Sequence, residues 1–225
     1  MNRTLFLWLI FFSLFITSCN NNPVKPQNSV SQEDVYLQKI SQAMDYTNPV
    51  TRDFAISLAA KSPGNFNLGQ VCYIYDYLFN NWKYVNDPRG FEYFSSASET
   101  IKSNLAGDCD DFAILMASLI SAIGGTARIS LAFNNTSGHA FTEVCLDNMS
   151  PPVSVQSAYT YINSHYQGFF QKLFGISAVE SIWYRPDNSN RAWLNLDWSS
   201  KYPGGEYFKF SVCTIYYPLE GYYYK

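Results

Sequence analysis

An apolar stripe between residues 71 and 82 is the clearest periodic pattern in the chain. Its members recur every three or four residues: Val71, Ile74, Tyr75, Leu78, Phe79 and Trp82. This spacing places them on one face of an α-helix, which predicts a helix packed against the core. Upstream, Ser31 followed by Asp34 predicts the start of a helix that continues through 35–44, and 51–61 predicts a short helix ended by Pro63-Gly64.

A second apolar stripe follows Gly107-Asp108. Its members again have helical spacing: Cys109, Phe112, Ala113, Met116, Ile120 and Ile123. Gly124-Gly125 supplies a stop signal. The pattern therefore predicts a buried helix with Cys109 in its first turn.

Alternating apolar and polar residues replace the helical spacing after this helix. Residues 126–133 predict a strand, 134–138 a hairpin loop, and 139–146 the return strand. Two further strands are predicted at 192–198 and 208–217, with Asp197 on the same face as Trp193 and Asn195. Helices followed by an antiparallel sheet indicate an α+β fold.

The first eighteen residues predict an export signal. One charge, Arg3, precedes a mainly apolar run from Leu5 to Ile16. That run is shorter than the roughly 20 residues that a membrane-spanning helix needs. The sequence Ile16-Thr17-Ser18-Cys19 resembles the lipobox of bacterial lipoproteins, which implies cleavage before Cys19 and lipid attachment to its thiol.

These features divide the chain into three parts. We predict a lipoprotein signal peptide at 1–18, a flexible tether at 19–30 that is rich in asparagine and proline, and a folded domain at 31–225. Lipid on Cys19 would hold the domain at a membrane of the bacterial cell envelope.

Composition narrows the function classes. The formal net charge of −3 becomes −4 when the segment with Arg3 is removed, and nothing in this balance suggests a nucleic-acid partner. The 18 tyrosines and 17 phenylalanines are compatible with aromatic grooves for sugars or for peptides. Cysteines Cys72, Cys109, Cys145 and Cys213 could form two disulfides in an exported protein, but their spacing shows no framework. We expect all of these except Cys109 to be core residues.

Cys109 is the candidate nucleophile. The positive end of a helix and a nearby imidazolium both favour a thiolate. The chain has two histidines, and His139 lies one hairpin after the Cys109 helix, whereas His165 lies in a separate excursion. An imidazole base needs a third group that fixes its tautomer, and Asp197, or failing that Asn195, is suitable.

Three segments in order resemble the core motifs of the transglutaminase-like superfamily, which has a papain-like fold. They are 107–113 (GDCDDFA), 138–144 (GHAFTEV) and 193–197 (WLNLD), with weaker similarity at 82–84, 87–88 and 97–100. The resemblance implies a nucleophile, Cys109, at a helix N-terminus, with His139 as base and then acid and Asp197 as orienting carboxylate. It also implies that the backbone N–H of Cys109 donates to the oxyanion, and it implies no cofactor and no metal.

Two departures from the family pattern stand out. Phe141 occupies a position where the family often has tryptophan. The distance in sequence from His139 to Asp197 exceeds the usual short hairpin, and the extra residues, about 148–190, could form a lid, a partner surface or an extension of the core.

The acidic residues around these motifs have plainer interpretations. Asp108, Asp110 and Asp111 could form a metal cluster, but carboxylates at a helix N-terminus also stabilise its dipole. We expect Glu143 to form an ion pair with Arg128 or Arg191.

The leading functional hypothesis is an enzyme that attacks amide bonds of a peptide or protein and forms a thioester at Cys109. Water as acceptor would make it a peptidase or amidase, and an amine would make it a protein-crosslinking transglutaminase. The remaining alternative is a binding or structural lipoprotein module that keeps the fold without using the three residues.

Overall fold

The structure is a computed structural model that describes residues 30–88, 90 and 92–225. The predicted signal peptide at 1–18, Cys19 and all but the last residue of the predicted tether lie outside the described residues. Residues Ser31–Lys225 form one compact unit. In this part of the chain, no helix has both the length and the apolar character needed to cross a bilayer.

Three helices open the fold, each started by a side-chain cap. They are α1 (Gln32–Ala43), α2 (Pro49–Ala59) and α3 (Leu68–Asn81). Ser31 and Asp34 cap α1 reciprocally, as predicted. Asn48 caps α2 and Pro49 occupies its first turn, so α2 begins two residues before the predicted start. Asn67 caps α3, which therefore includes a further turn upstream of the predicted stripe.

A small parallel ladder leads to the second stripe. Strand β1 (Lys83–Tyr84) pairs with β2 (Ala106–Gly107), and the short helix α4 (Ala97–Lys102) lies between them in sequence. We did not predict α4, although Ser96 and Glu99 form a capping box that marks its start. The ladder places Tyr84 directly beside Gly107, two residues before Cys109.

Helix α5 (Cys109–Ala122) is the centre of the core, and its predicted position is confirmed. Every residue from Asp110 to Ser121 is buried. The helix ends before Gly124, whose φ of +87° suits glycine and reverses the chain toward the sheet.

A six-stranded antiparallel sheet packs against the helices. Its strands are β3 (Ala127–Phe133), β4 (Gly138–Cys145), β5 (Tyr184–Pro186), β6 (Ala192–Asn195), β7 (Val212–Tyr217) and β8 (Tyr222–Tyr224). They are arranged in the order β5-β6-β4-β3-β7-β8, so β4 lies near the middle. The predicted α+β class, with N-terminal helices on an antiparallel sheet, is confirmed.

Two strand predictions need correction. Strand β6 ends at Asn195 and not at Trp198, because Asp197 caps a short 3₁₀ helix at Trp198–Ser200. The last predicted strand starts four residues later than expected, at Val212, and β8 adds an edge strand.

The extra segment at 148–190 extends the core. It forms the twenty-residue helix α6 (Val155–Phe174) and then β5. One face of α6 is buried at every fourth position: Ala158, Ile162, Tyr166 and Phe170. Ser154 caps its start, and Gly175, with a φ of +71°, ends it.

Candidate active site

Cys109 is the first residue of α5, and the segment before it is tightly fixed. The Asp108 carboxylate accepts a hydrogen bond from the Asp110 N–H at 3.3 Å, and the Asp111 carboxylate accepts one from the Asp108 N–H at 3.3 Å. A Cβ at Gly107 would lie 2.3 Å from an Asp111 oxygen, so only glycine allows this approach. The nucleophile predicted at a helix N-terminus is therefore found there.

His139 and Asp197 form a close hydrogen-bonded pair. The Nε2 atom of His139, the second residue of β4, lies 2.8 Å from Oδ1 of Asp197, whose side chain is fully buried. The same Oδ1 accepts the backbone N–H of Ser199 at 2.9 Å. The carbonyl of Asp197 accepts the Tyr75 hydroxyl at 2.8 Å and the Ser200 hydroxyl at 2.5 Å. Asp197 is thus held at both its backbone and its carboxylate.

Helix α5 and strand β4 are joined next to these groups. The Thr142 hydroxyl of β4 donates to the Ala113 carbonyl of α5 at 2.6 Å, and both residues are buried. As a result Cys109, His139 and Ala140 line one cleft of about 340 Å³. Among the described residues, no hydrogen bond joins the Cys109 thiol to the imidazole. With Nε2 engaged by Asp197, Nδ1 is the ring nitrogen left to exchange a proton.

The surroundings of Cys109 in the cleft disfavour its thiolate form. Burial raises the pKa of Cys109 to about 12; the backbone N–H of Ala140 opposes this shift, and the carboxylates of Asp110 and Asp108 add to it. Helix position alone therefore does not activate this thiol. An imidazolium at His139 or a cation brought by a ligand would favour the thiolate.

Aromatic rings surround the imidazole and the thiol, and of these only Phe141 was singled out from the sequence. The Phe208 ring lies 5.0 Å from the His139 ring, centroid to centroid, and Phe141 lies 6.3 Å away. Tyr84 lines the cleft beside Cys109. Burial, together with the thiol and carboxyl groups nearby, raises the pKa of Tyr84, so its phenol stays protonated and can donate. The sequence pattern does not predict that Tyr84 and Phe208 lie near the site, because the two residues come from segments far apart in the chain.

Asn195 and His165, the alternatives to Asp197 and His139, do not take those roles. Asn195 is buried, and its side-chain oxygen accepts the Asp197 N–H at 3.1 Å, so it supports Asp197 without contacting the imidazole. His165 lies on α6, where its ring meets Asp76 of α3 at 3.3 Å and takes no part in the Cys109 cleft.

All four described cysteines are free, so the two possible disulfides do not form. Cys72 and Cys145 are buried, as predicted. Cys213 is half-buried and accepts a hydrogen bond from Arg185 at 3.5 Å, so it is not a fully buried core cysteine.

Glu143 of β4 forms the predicted ion pair with Arg128, at 2.7 Å. The alternative partner Arg191 is wrong, because Arg191 pairs with Asp187 at 2.8 Å. The second partner of Glu143 is Arg185, at 2.6 Å, which β5 brings across the sheet.

One group of side chains could share a cation. The ligand atoms of Asp108, Cys109 and Asp110 lie within 4.8 Å of one another. This arrangement places two carboxyl groups around the candidate nucleophile.

Comparison with known proteins gives a family match over half of the folded unit. Residues 52–162 match the family described as the Transglutaminase-like superfamily, a range that includes Cys109 and His139 and ends before Asp197. The match and the architecture agree with the predicted papain-like fold. No curated protein is significantly similar to the chain.

Two solved structures resemble parts of the chain. A candidate cysteine protease from Cytophaga hutchinsonii is 22% identical over 53% of this chain and 40% of its own, with a TM-score of 0.37. A candidate protease from Parabacteroides distasonis is 15% identical over 51% of this chain and 25% of its own, with a TM-score of 0.42. The chain thus spans less than half the length of either protein.

Proposed function

We propose that this chain, a member of the transglutaminase-like superfamily through residues 52–162, is a cysteine-dependent hydrolase of amide bonds in peptides or proteins. The observation that carries the proposal is the arrangement of three side chains. Cys109 begins α5 and shares a cleft with His139, which is hydrogen-bonded to the buried Asp197 at 2.8 Å. A nucleophile, a base and a group that orients the base are the parts that covalent acyl transfer needs.

In the proposed reaction, Nδ1 of His139 accepts the proton of the Cys109 thiol as Sγ attacks the amide carbonyl. The backbone N–H of Cys109, at the positive end of α5, stabilises the oxyanion. The imidazolium then gives its proton to the leaving amine, and the acyl group stays on sulfur as a thioester. Water, deprotonated by His139, attacks the thioester, releases a carboxylic acid and restores the thiol.

Hydrolysis is the proposed fate of the thioester because the cleft opens to solvent at the half-buried Cys109. Water is then the acceptor unless an amine is bound in its place. Protein crosslinking by a bound amine is the alternative, and it would use the same three side chains.

The test is a panel of peptides, including glutamine-containing ones, incubated with the chain from Gln27 onward, with and without a primary amine. We expect hydrolysis products by mass spectrometry, lost in Cys109→Ala and retained in Cys213→Ala, since Cys213 is a half-buried thiol outside the cleft. Equal products from wild type and Cys109→Ala would contradict the proposal. Dominant amine adducts would support crosslinking instead.

Membrane attachment is a separate part of the proposal. The lipobox-like sequence before Cys19 supports a lipid-anchored protein of the bacterial cell envelope. The substitution Cys19→Ser should move the exported protein from the membrane fraction to the soluble fraction. Unchanged membrane association would contradict lipid anchoring.

A further inference from the structure

Three carboxyl groups line the cleft beside the Cys109 thiol. They belong to Glu92, Asp108 and Asp110, and we call them the acidic subsite. Among the described residues that line the cleft, His139 is the one group able to carry a positive charge. Burial and the hydrogen bond with Asp108 raise the pKa of Asp110 to about 10, so at neutral pH Asp110 keeps its proton unless a cation lies beside it. The subsite therefore places three acidic groups close to the reacting sulfur.

Asp110 gives independent support for a binding site here. Its side chain lines the cleft although the residue is only 4% exposed. Its Oδ2 atom is buried and has no hydrogen-bond partner among the described residues. A buried carboxyl oxygen without a partner is costly, so this atom is poised for a donor that a ligand supplies.

We infer that the acidic subsite binds a primary ammonium on an alkyl side chain, as in lysine, carried by the substrate next to the amide bond that Cys109 attacks. The inference rests on the proposed function. An ammonium has three N–H donors and no acceptor, which suits a ring of carboxyl oxygens. The walls also fit the alkyl stem, because Tyr36, Tyr84 and Phe133 line the same cleft and can contact methylene groups.

Such a substrate would also help to activate the nucleophile. After burial and the Ala140 N–H, the carboxylates of Asp110 and Asp108 are the next largest influences on the pKa of Cys109, and both raise it. An ammonium in the subsite would favour the ionised form of Asp110 as its partner and would offset the effect of Asp108 on the thiol. The charge should therefore affect kcat as well as KM.

The test compares matched peptides that carry either lysine or uncharged norleucine on one side of the scissile bond, and then on the other. With the full chain, we expect a higher kcat/KM for the lysine peptide at one of these positions. Asp110→Asn should lower the lysine-to-norleucine ratio about tenfold, as for one charge-assisted hydrogen bond. Glu92→Gln should lower it less because Glu92 is exposed, and Glu220→Gln, an exposed glutamate outside the cleft, should not change it. Equal ratios in all four proteins would overturn the inference.

Two additions keep the result independent of folding and of turnover. Glu92→Gln is a surface change, so it still tests the subsite if Asp110→Asn does not fold. Calorimetry with full-chain Cys109→Ala should show tighter binding of the lysine peptide than of the norleucine peptide. If this preference is seen but wild type hydrolyses neither peptide, only the proposed function is contradicted. Turnover without lysine preference would overturn only the subsite. Calcium binding that Asp110→Asn abolishes, again without lysine preference, would overturn it in favour of a metal site.

Discussion

The substitution Glu143→Gln should destabilise the fold strongly, because Glu143 is the centre of a buried charge cluster on β4, the strand that also carries His139. Its side chain is 0% exposed, and its carboxylate accepts hydrogen bonds from Arg128 at 2.7 Å, Arg185 at 2.6 Å and Tyr207 at 2.6 Å. Arg128 is itself only 1% exposed, so glutamine would leave a buried guanidinium without a counter-charge. Removing one partner of a buried pair costs about 3–5 kcal/mol, a large share of a typical free energy of unfolding.

The effect should depend on pH in a defined direction. Burial disfavours the ionised form of Glu143, but Arg185 and Arg128 outweigh it and hold the pKa of Glu143 below its usual value of 4.5. Between these values the folded chain binds fewer protons than the unfolded chain. The stabilisation is therefore complete above about pH 4.5 and is lost as the pH falls through the folded-state pKa.

Urea unfolding followed by tryptophan fluorescence, at pH 7 and in acid, measures both effects. Glu180→Gln is the matched control, because Glu180 is an exposed glutamate. The gap in stability between wild type and Glu143→Gln should be large at pH 7 and should narrow in acid. A loss at pH 7 no greater than that of the control, or a gap that widens in acid, would refute the reasoning.

Two further variants test the thiol environment and the extended core. Asp108→Asn keeps the cap of α5 but removes a charge that raises the pKa of Cys109. Iodoacetamide at pH 8 should therefore label Cys109 roughly two- to tenfold faster than in wild type. An unchanged or slower rate would contradict the electrostatic argument. Phe170→Ala should lower the free energy of unfolding in urea by about 3–5 kcal/mol, because Phe170 is 0% exposed. Phe174→Ala should lower it far less, because Phe174 is 44% exposed. Equal small losses would mean that α6 is peripheral to the core.

The local sequence predicted those helices and strands in which apolar residues recur with one clear period. Helices α3 and α5 have long apolar stripes, and β3 and β4 alternate around a polar hairpin loop. Helix α6 was missed although its cap at Ser154 and its stop at Gly175 are visible, because tyrosine, serine, asparagine and histidine fill its exposed faces. Only every fourth position of α6 is buried, and the partners of that face are distant in sequence, so its role in the core became visible only in the fold.

The candidate site also has a part that the local sequence predicts and a part that it does not. The surroundings of Cys109 and His139 are local, so a helix start and a hairpin were enough to nominate them. The support of Asp197 depends on Tyr75, 122 residues away, which donates to its carbonyl from α3. Arg185, which pairs with Glu143 across 42 residues, replaced the expected Arg191 for the same reason. Contacts of this length are set by tertiary packing, which no spacing rule describes.

The rate at which Cys109 reacts with iodoacetamide between pH 6 and pH 9 tests the central claim most directly, because it measures whether His139 and Asp197 act on this thiol. Burial raises the pKa of Cys109 to about 12, so wild type should label at Cys109 near neutral pH only as far as His139 takes up the thiol proton. His139→Ala and Asp197→Asn should both slow this labelling, while His165→Ala, the matched histidine outside the cleft, should not. Labelling of Cys109 at the same rate in wild type, His139→Ala and Asp197→Asn would contradict the account.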